Sequence, residues 1–225
     1  LWGPALPLLN QWDPAWAQAC HTMSVHPWRG GVLSEQFAAL ICVALNAACT
    51  SGDGAATRRH IRAALTLGAT REQLLFVIKG ATVLAVHALS VAAPILAEET
   101  GSAAPPTGRP APTPSGDAMR DAGQWNSAWD AFAELDPEWT EQFMAAAIGI
   151  YADDVFSPKE IELLSIALDA SVTHLYAPGI RRHIRGALDA GANTAEILAV
   201  LQLCVSQGVQ ACNLALPILD EELTR

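Results

Sequence analysis

The chain repeats itself at an offset of 123 residues, and this duplication limits its possible folds more than any other feature. Between positions 2–99 and 125–222 the register holds without a gap, and 31 of the 98 aligned pairs are identical. The longest identical run is Arg-Arg-His-Ile-Arg, at 58–62 and again at 181–185. Common core packing explains apolar identities, but it does not require two adjacent arginines and a histidine to persist. We therefore expect two copies of one domain-sized fold, with function near this run.

Start and stop signals divide each copy into helices. Ser157–Glu160 combines a capping serine, a proline at the first helical position and a glutamate at the third. Thr70–Gln73 and Asn193–Glu196 carry the same type of cap, and Gly68 and Gly191 stand where the preceding helices must end. No alternation of period two is long enough to indicate a sheet. The sequence predicts an all-α protein, a tandem duplicated helical domain packed as a pseudo-dimer.

The repeat also predicts the domain boundaries. The first copy covers 1–99 and the second covers 122–225, with a linker at 100–121. Proline, glycine, alanine and serine dominate the linker between 100 and 117, so we expect it to be extended and poorly packed. In each copy the long apolar segment at the end is expected to break, near 80–85 in the first and near 203–208 in the second.

Composition excludes several classes of protein. A net charge of −10 argues against binding to nucleic acid, which requires a basic surface. The five cysteines form no CxxC pair, so reduced thiols in a cytoplasmic protein are expected. The apolar segments 74–97 and 197–219 are long enough to raise the question of a membrane, but polar residues interrupt both. We expect them to lie in a core or in an interface between subunits.

A single row of polar residues marks one helix of the second copy. Glu162, Asp169 and Thr173 fall on one line of the helix expected from Pro158 to Val172, and the positions around them are mostly apolar. Buried carboxylates are costly unless they are paired or used, and burial raises their pKa toward values useful for acid–base chemistry. This row is a candidate active site.

The first copy lacks these carboxylates. Ala39 stands at the position of Glu162 and Asn46 at that of Asp169, while the apolar positions persist. We therefore expect the second copy to carry the site and the first to be chiefly structural, although its His60 is retained.

The histidine run supplies the other candidate groups. His183 lies at the edge of the apolar face of its helix, where it either points into a pocket or is a core histidine bonded to a backbone carbonyl. Arg182 and Arg185 are suited to an anionic substrate, or they form a solvated face. His174 lies in the preceding loop and is close enough in sequence to converge on His183. A zinc site formed by His174, His183 and Glu162 is a further alternative.

The motifs resemble those of a known family. The segments 157–167 and 183–192 are similar to two conserved segments of the carboxymuconolactone decarboxylase family, related to alkylhydroperoxidase D, and Gly208 and Asn213 match its last helix. The resemblance implies an all-helical fold that assembles as trimers or hexamers, with sites between helices. It also implies that Glu162 and His183 are an acid–base pair. A double copy is then expected to form a homotrimer.

One departure from the family narrows the chemistry. The peroxidase branch has a CxxC motif four and seven residues before its histidine. The corresponding residues here are Asp53 and Ala56 in the first copy and Tyr176 and Gly179 in the second. Dithiol peroxidase chemistry is therefore not expected.

These observations lead to a functional hypothesis. We expect a lyase (decarboxylase) or isomerase, without a cofactor or metal, that acts on a small carboxylated molecule of a cyclic or lactone-like type. Arg182 or Arg185 would orient the carboxylate, Thr173 or Tyr176 would hold the developing oxyanion, and His183 would transfer the proton. Two alternatives stay open: a non-catalytic ligand-binding or scaffold protein, and a thiol redox protein that uses Cys42 and Cys49 on one helix face.

Overall fold

The computed structural model describes residues 1–101, 113–121, 123–151 and 154–225. Every regular element in these ranges is helical. Short 3-10 turns lie at Leu84–Val86 and Ser127–Trp129. The α-helices are α1 (Ala5–Trp12), α2 (Pro14–Arg29), α3 (Glu35–Ala47), α4 (Gly54–Thr66), α5 (Arg71–Val83), α6 (His87–Thr100), α7 (Pro114–Asp121), α8 (Asp130–Leu135), α9 (Pro137–Ile148), α10 (Pro158–Asp169), α11 (Ala177–Asp189), α12 (Thr194–Ser206) and α13 (Val209–Leu223).

The helices of the two copies correspond at the offset read from the sequence. Helices α1 to α6 match α8 to α13 in order, and α7 belongs to the connection between them. The side chain of Ser157 accepts a hydrogen bond from the amide of Glu160. The Glu160 carboxylate accepts one from the Ser157 amide, and the two bonds form the expected capping box. Gly68 and Gly191 adopt φ of +88° and +86° where α4 and α11 end.

Helices from both copies share each compact unit. One unit comprises Leu1–Ala81 and Val155–Arg225, and the other comprises Thr82–Asp154. In the first unit α1 packs on α13, α2 packs on α12, and α3 contacts both α10 and α12. In the second unit α6 packs on α8. The compact units therefore do not follow the boundaries of the sequence copies, because helices of one copy cover apolar faces of the other.

Helix α3 and its counterpart α10 form the centre of the first unit. Residues 37–46 of α3 are all buried, and α10 buries Leu163, Leu164, Ile166, Ala167 and Leu168 together with Asp169. A helix that is apolar on all sides is stable only when other helices surround it. The Asp169 carboxylate consequently lies within a packed core, and that of Glu162 is partly buried.

The prediction of an extended linker is wrong for its C-terminal part, which is helical. Residues 102–112 lie outside the described part of the chain, but α7 occupies residues that we assigned to the linker. The Glu141 carboxylate accepts from the amides of Ser115 and Gly116 at the start of α7, and Met119 is buried. Arg120 stacks 3.6 Å over the ring of Trp125. These partners lie 5 to 26 residues away along the chain, so local composition did not indicate them.

Both apolar segments break where we expected. The 3-10 turn at Leu84–Val86 separates α5 from α6, and Gln207 and Gly208 separate α12 from α13. By length and composition alone, the stretches Arg71–Thr100 and Thr194–Leu223 would be able to cross a membrane. That test is weak, because the core helices of soluble proteins also pass it.

Candidate functional site

Two glycines of α11 make room for the two carboxylates of α10. A Cβ atom built on Gly186 would lie 2.7 Å from Cδ of Glu162, and one built on Gly179 would overlap the carboxylate of Asp169. The carboxylates are two helical turns apart, and so are the glycines, in the opposite order. The two helices are therefore antiparallel and closely packed, and each carboxylate is held against a glycine.

His183 connects the groups that this packing brings together. Its Nδ1 lies 2.7 Å from Oε2 of Glu162, and its Nε2 lies 3.1 Å from Nη2 of Arg182 and 3.7 Å from Oδ2 of Asp169. An arginine can only donate, so Nε2 accepts from Arg182. The proton of the neutral ring then lies on Nδ1, which donates to Glu162.

Burial sets the protonation of this group. The side chains of His183 and Asp169 are 12% and 3% exposed. Burial lowers the pKa of His183 below its ordinary value, and the hydrogen bond to Glu162 partly opposes this effect. Burial raises the pKa of Asp169 to about 7, against the opposing influence of the Arg182 guanidinium. Near neutral pH the site therefore combines a neutral imidazole with a carboxyl group that readily gains or loses a proton.

The first copy keeps the helices but not this chemistry. Its residues at the positions of Gly179 and Gly186 are Ala56 and Ala63. Asn46 turns its amide to the carbonyl of Cys42 and to the side chain of Gln207, each at 2.7 Å. His60 is 1% exposed, and burial lowers its pKa to about 3. Its Nε2 has no hydrogen-bond partner among the described residues.

The loop between α10 and α11 corrects one part of the predicted row. Helix α10 ends at Asp169, so Thr173 does not continue the line of Glu162 and Asp169. Thr173 is exposed. It lines a cavity together with residues 50–55 of the first copy. Tyr176 is buried, and its amide donates to the Asp169 carbonyl at 2.9 Å. Leu175 adopts a φ of +51°, a left-handed conformation that costs a non-glycine residue about 1 kcal/mol.

The remaining predicted residues lie at different distances from the site. His174 is partly buried, with its ring centre 6.2 Å from that of Tyr176. Arg185 is exposed on α11, so only Arg182 of the two candidate arginines contacts His183. The zinc set does not assemble: in the described part of the chain, His174, His183 and Glu162 form no group with ligand atoms within 4.8 Å of one another.

The thiol alternative loses its geometric basis. Helix α3 ends at Ala47, so Cys49 is exposed beyond the helix and does not share a helical face with Cys42. Burial raises the pKa of the Cys42 thiol to about 12. A thiol that stays protonated at neutral pH is a poor nucleophile.

Sequence reasoning missed the two glycines. Gly179 and Gly186 interrupt the identity between copies at positions where the first copy has alanine. A glycine in the middle of a helix is unfavourable by about 1 kcal/mol relative to alanine. Gly186 lies in the middle of α11 and Gly179 in its first turn. Their spacing, which equals that of the two carboxylates of the neighbouring helix, was the signal that would have identified them.

We expect the effect of Gly186→Ala to depend on Glu162. In a Glu162→Ala background, Gly186→Ala should stabilise the fold by about 1 kcal/mol through helix propensity. The double variant has the same residues at these two positions as the first copy, Ala39 and Ala63. With Glu162 present, the added Cβ displaces the carboxylate from His183, and the gain should be smaller by about 1 kcal/mol or reversed. Urea unfolding of the four proteins at one concentration measures this coupling.

Ala63→Gly on α4 is the matched control for helix propensity alone, and it should cost about 1 kcal/mol. An equal effect of Gly186→Ala in both backgrounds would show that the glycine does not accommodate Glu162.

Comparisons with known proteins identify the family of the chain. The family model described as "Carboxymuconolactone decarboxylase family" matches residues 137–221, a range within the second copy. A search of curated proteins gives no match. Among solved structures, a candidate gamma-carboxymuconolactone decarboxylase subunit from Burkholderia xenovorans LB400 is similar at 31% identity and a TM-score of 0.88, over 100% of this chain and 92% of that one. The chain, a tandem two-copy protein without a CxxC motif, belongs to the carboxymuconolactone decarboxylase family.

Proposed function

We propose that the chain is a decarboxylase that acts, without a cofactor, on a small cyclic carboxylated molecule of the lactone type. The observation that carries this proposal is the partly buried contact of His183 with Glu162, Arg182 and Asp169. It places a cation that binds carboxylates beside an imidazole and a carboxyl group with a pKa near neutrality. Family membership and the name of the similar Burkholderia protein support the same reaction class.

Each residue has a distinct role in this reaction. The Arg182 guanidinium would bind the substrate carboxylate and thereby leave Nε2 of His183, to which it donates in the free protein. Loss of CO₂ breaks the bond between the carboxylate carbon and the ring carbon, and the electron pair passes into an enolate. A proton from His183 Nε2 then forms the new C–H bond, so the substrate carboxylate is replaced by hydrogen.

Asp169 and Glu162 would supply and hold that proton. Neutral His183 carries no proton on Nε2 in the arrangement described above, so it must gain one before it can act as an acid. Asp169 lies 3.7 Å from Nε2 and exchanges a proton readily near pH 7. Glu162 fixes the ring through Nδ1 and stabilises the imidazolium that forms.

The unprotonated Nε2 also favours an isomerase as a second candidate. A neutral imidazole is a suitable base for removing a proton next to a carbonyl group and returning it at another carbon. The two reactions are separated by CO₂ release, which only the decarboxylase produces. A chain that changes none of the cyclic unsaturated acids tested would instead be a ligand-binding or scaffold protein.

We expect His183→Ala to reduce turnover by about 10²-fold or more, because it removes the group that transfers the proton. The matched control is His60→Ala at the equivalent position of the first copy, which should have a much smaller effect. CO₂ release from gamma-carboxymuconolactone, and from a panel of related cyclic acids, provides the assay. Circular dichroism confirms that both variants are folded. Equal losses in the two folded variants would mean that the copies share the chemistry.

We also propose that the chain forms a homotrimer through its last helices. Leu214, Ile218 and Leu219 of α13 are 69%, 52% and 46% exposed. Val91, Ile95 and Leu96 occupy the same repeat positions of α6, and each is 53% exposed. Rows of exposed apolar side chains indicate an interface. A trimer of two-copy chains would contain six copies of the domain, as a hexamer of single-copy family members does. We propose in addition a cytoplasmic protein that binds neither membranes nor nucleic acid.

Light scattering without detergent should give about three times the chain mass of 23.8 kDa. Leu214→Glu on α13 should reduce that mass, because it introduces a charge into the apolar surface. Glu221→Gln on the same helix is the control. A stable monomer at micromolar concentration would contradict the proposed assembly.

A further inference from the structure

A cavity lies at the start of α4, the helix of the first copy that corresponds to the histidine helix α11. Its volume is about 520 Å³, within the range of small-molecule sites. Residues 50–55 at the start of α4 form one wall, and Val172, Thr173 and the beginning of α13 form the other. Its polar side chains include Arg59, Gln207, Gln210 and Asn213. The cavity belongs entirely to the compact unit that contains α3 and α10.

Arg59 is the cationic side chain of this cavity lining. Its Nε is buried and has no hydrogen-bond partner among the described residues. Its Nη2 donates to Oε1 of Gln210 at 2.7 Å, which is a neutral acceptor. The ion pairs in the described part of the chain do not include Arg59. A partly buried guanidinium without an anion is unfavourable, and a bound anion would relieve that cost.

The surrounding groups hold the guanidinium in place without neutralising it. Asn213 donates from Nδ2 to the same Gln210 oxygen at 2.8 Å, and its own Oδ1 accepts from the Gly3 amide at 2.8 Å. Asp53 is the acidic residue of the cavity lining, and its Oδ1 caps α4 by accepting from the Ala56 amide at 2.8 Å. The guanidinium is therefore held by neutral hydrogen-bond partners at the edge of the cavity.

We propose that this cavity binds a small organic carboxylate and that it is a second ligand site, distinct from the His183 site. A carboxylate would bind Arg59, and the amides and hydroxyls of the lining would bind further oxygens of the ligand. The site binds without catalysis, since Ala39 and Asn46 replace the carboxylates that accompany the histidine in the second copy.

The test is a binding measurement with succinate as the probe and uncharged succinamide as the control. Arg182→Gln is used as the starting protein, so that the second copy contributes no arginine site. In isothermal titration calorimetry, succinate should bind this protein, and succinamide should bind at least about tenfold more weakly. Adding Arg59→Gln should weaken succinate at least about tenfold, as loss of a charged hydrogen bond implies. Adding Arg58→Gln, the same change on the exposed side of α4, should leave the affinity unchanged.

Equal succinate affinity with and without Arg59→Gln, or equal binding of succinate and succinamide, would overturn the proposal. If the Arg59→Gln chain does not fold, the melting temperature of the Arg182→Gln protein decides. Succinate should raise it more than succinamide does, and an equal shift would count against the site. The measurement needs no turnover and uses a chain without Arg182. Its failure is therefore distinct from a failure of the proposed decarboxylase activity.

Discussion

The close packing of α11 on α10 is the constraint on which the candidate site depends. Gly179 and Gly186 remove the two Cβ atoms that would otherwise occupy the space of the Asp169 and Glu162 carboxylates. Only at this separation can His183 reach Glu162 with one ring nitrogen and face Asp169 and Arg182 with the other. Gly186, in the middle of α11, weakens the helix by about 1 kcal/mol relative to alanine. The core provides enough apolar burial to tolerate that loss, and the same burial sets the pKa values of the site.

The two copies share the same helices but differ in the residues at the glycine and carboxylate positions. The second copy combines glycines with carboxylates, whereas the first combines alanines with Ala39 and Asn46. The two combinations are internally consistent, since a carboxylate needs the space that a glycine leaves. The first copy retains a histidine whose pKa burial lowers to about 3, so it stays neutral and is unsuited to proton transfer near pH 7. It also retains Arg59, which has no carboxylate partner in the described chain. This residue is the basis of the proposed second ligand site.

Sequence periodicity predicted most of the helices, and the family resemblance implied the pairing of Glu162 with His183. Capping residues fixed the starts of α10 and α12 because those signals are local, and the row of Glu162 and Asp169 followed from helical geometry. Thr173 was misplaced because α10 ends at Asp169, three residues before Val172, where the apolar pattern predicted its end. The choice between Arg182 and Arg185 was left open, since it depends on which face of α11 packs against α10. Helix α7 was missed because its stabilising partners, Glu141 and Trp125, lie outside the segment whose composition resembles a linker.

The protonation of His183 tests the central claim most directly, because it depends on all three partners at once. Nitrogen-15 NMR of the histidine-labelled protein distinguishes the tautomers, and His183→Gln identifies the signal. We expect a neutral ring at pH 7 with its proton on Nδ1, bonded to Glu162, and with an unprotonated Nε2. Since burial lowers the pKa of His183, the ring should stay neutral below the ordinary value of about 6.5. A proton on Nε2 in the neutral ring, or a charged imidazolium at pH 7, would contradict the proposed arrangement.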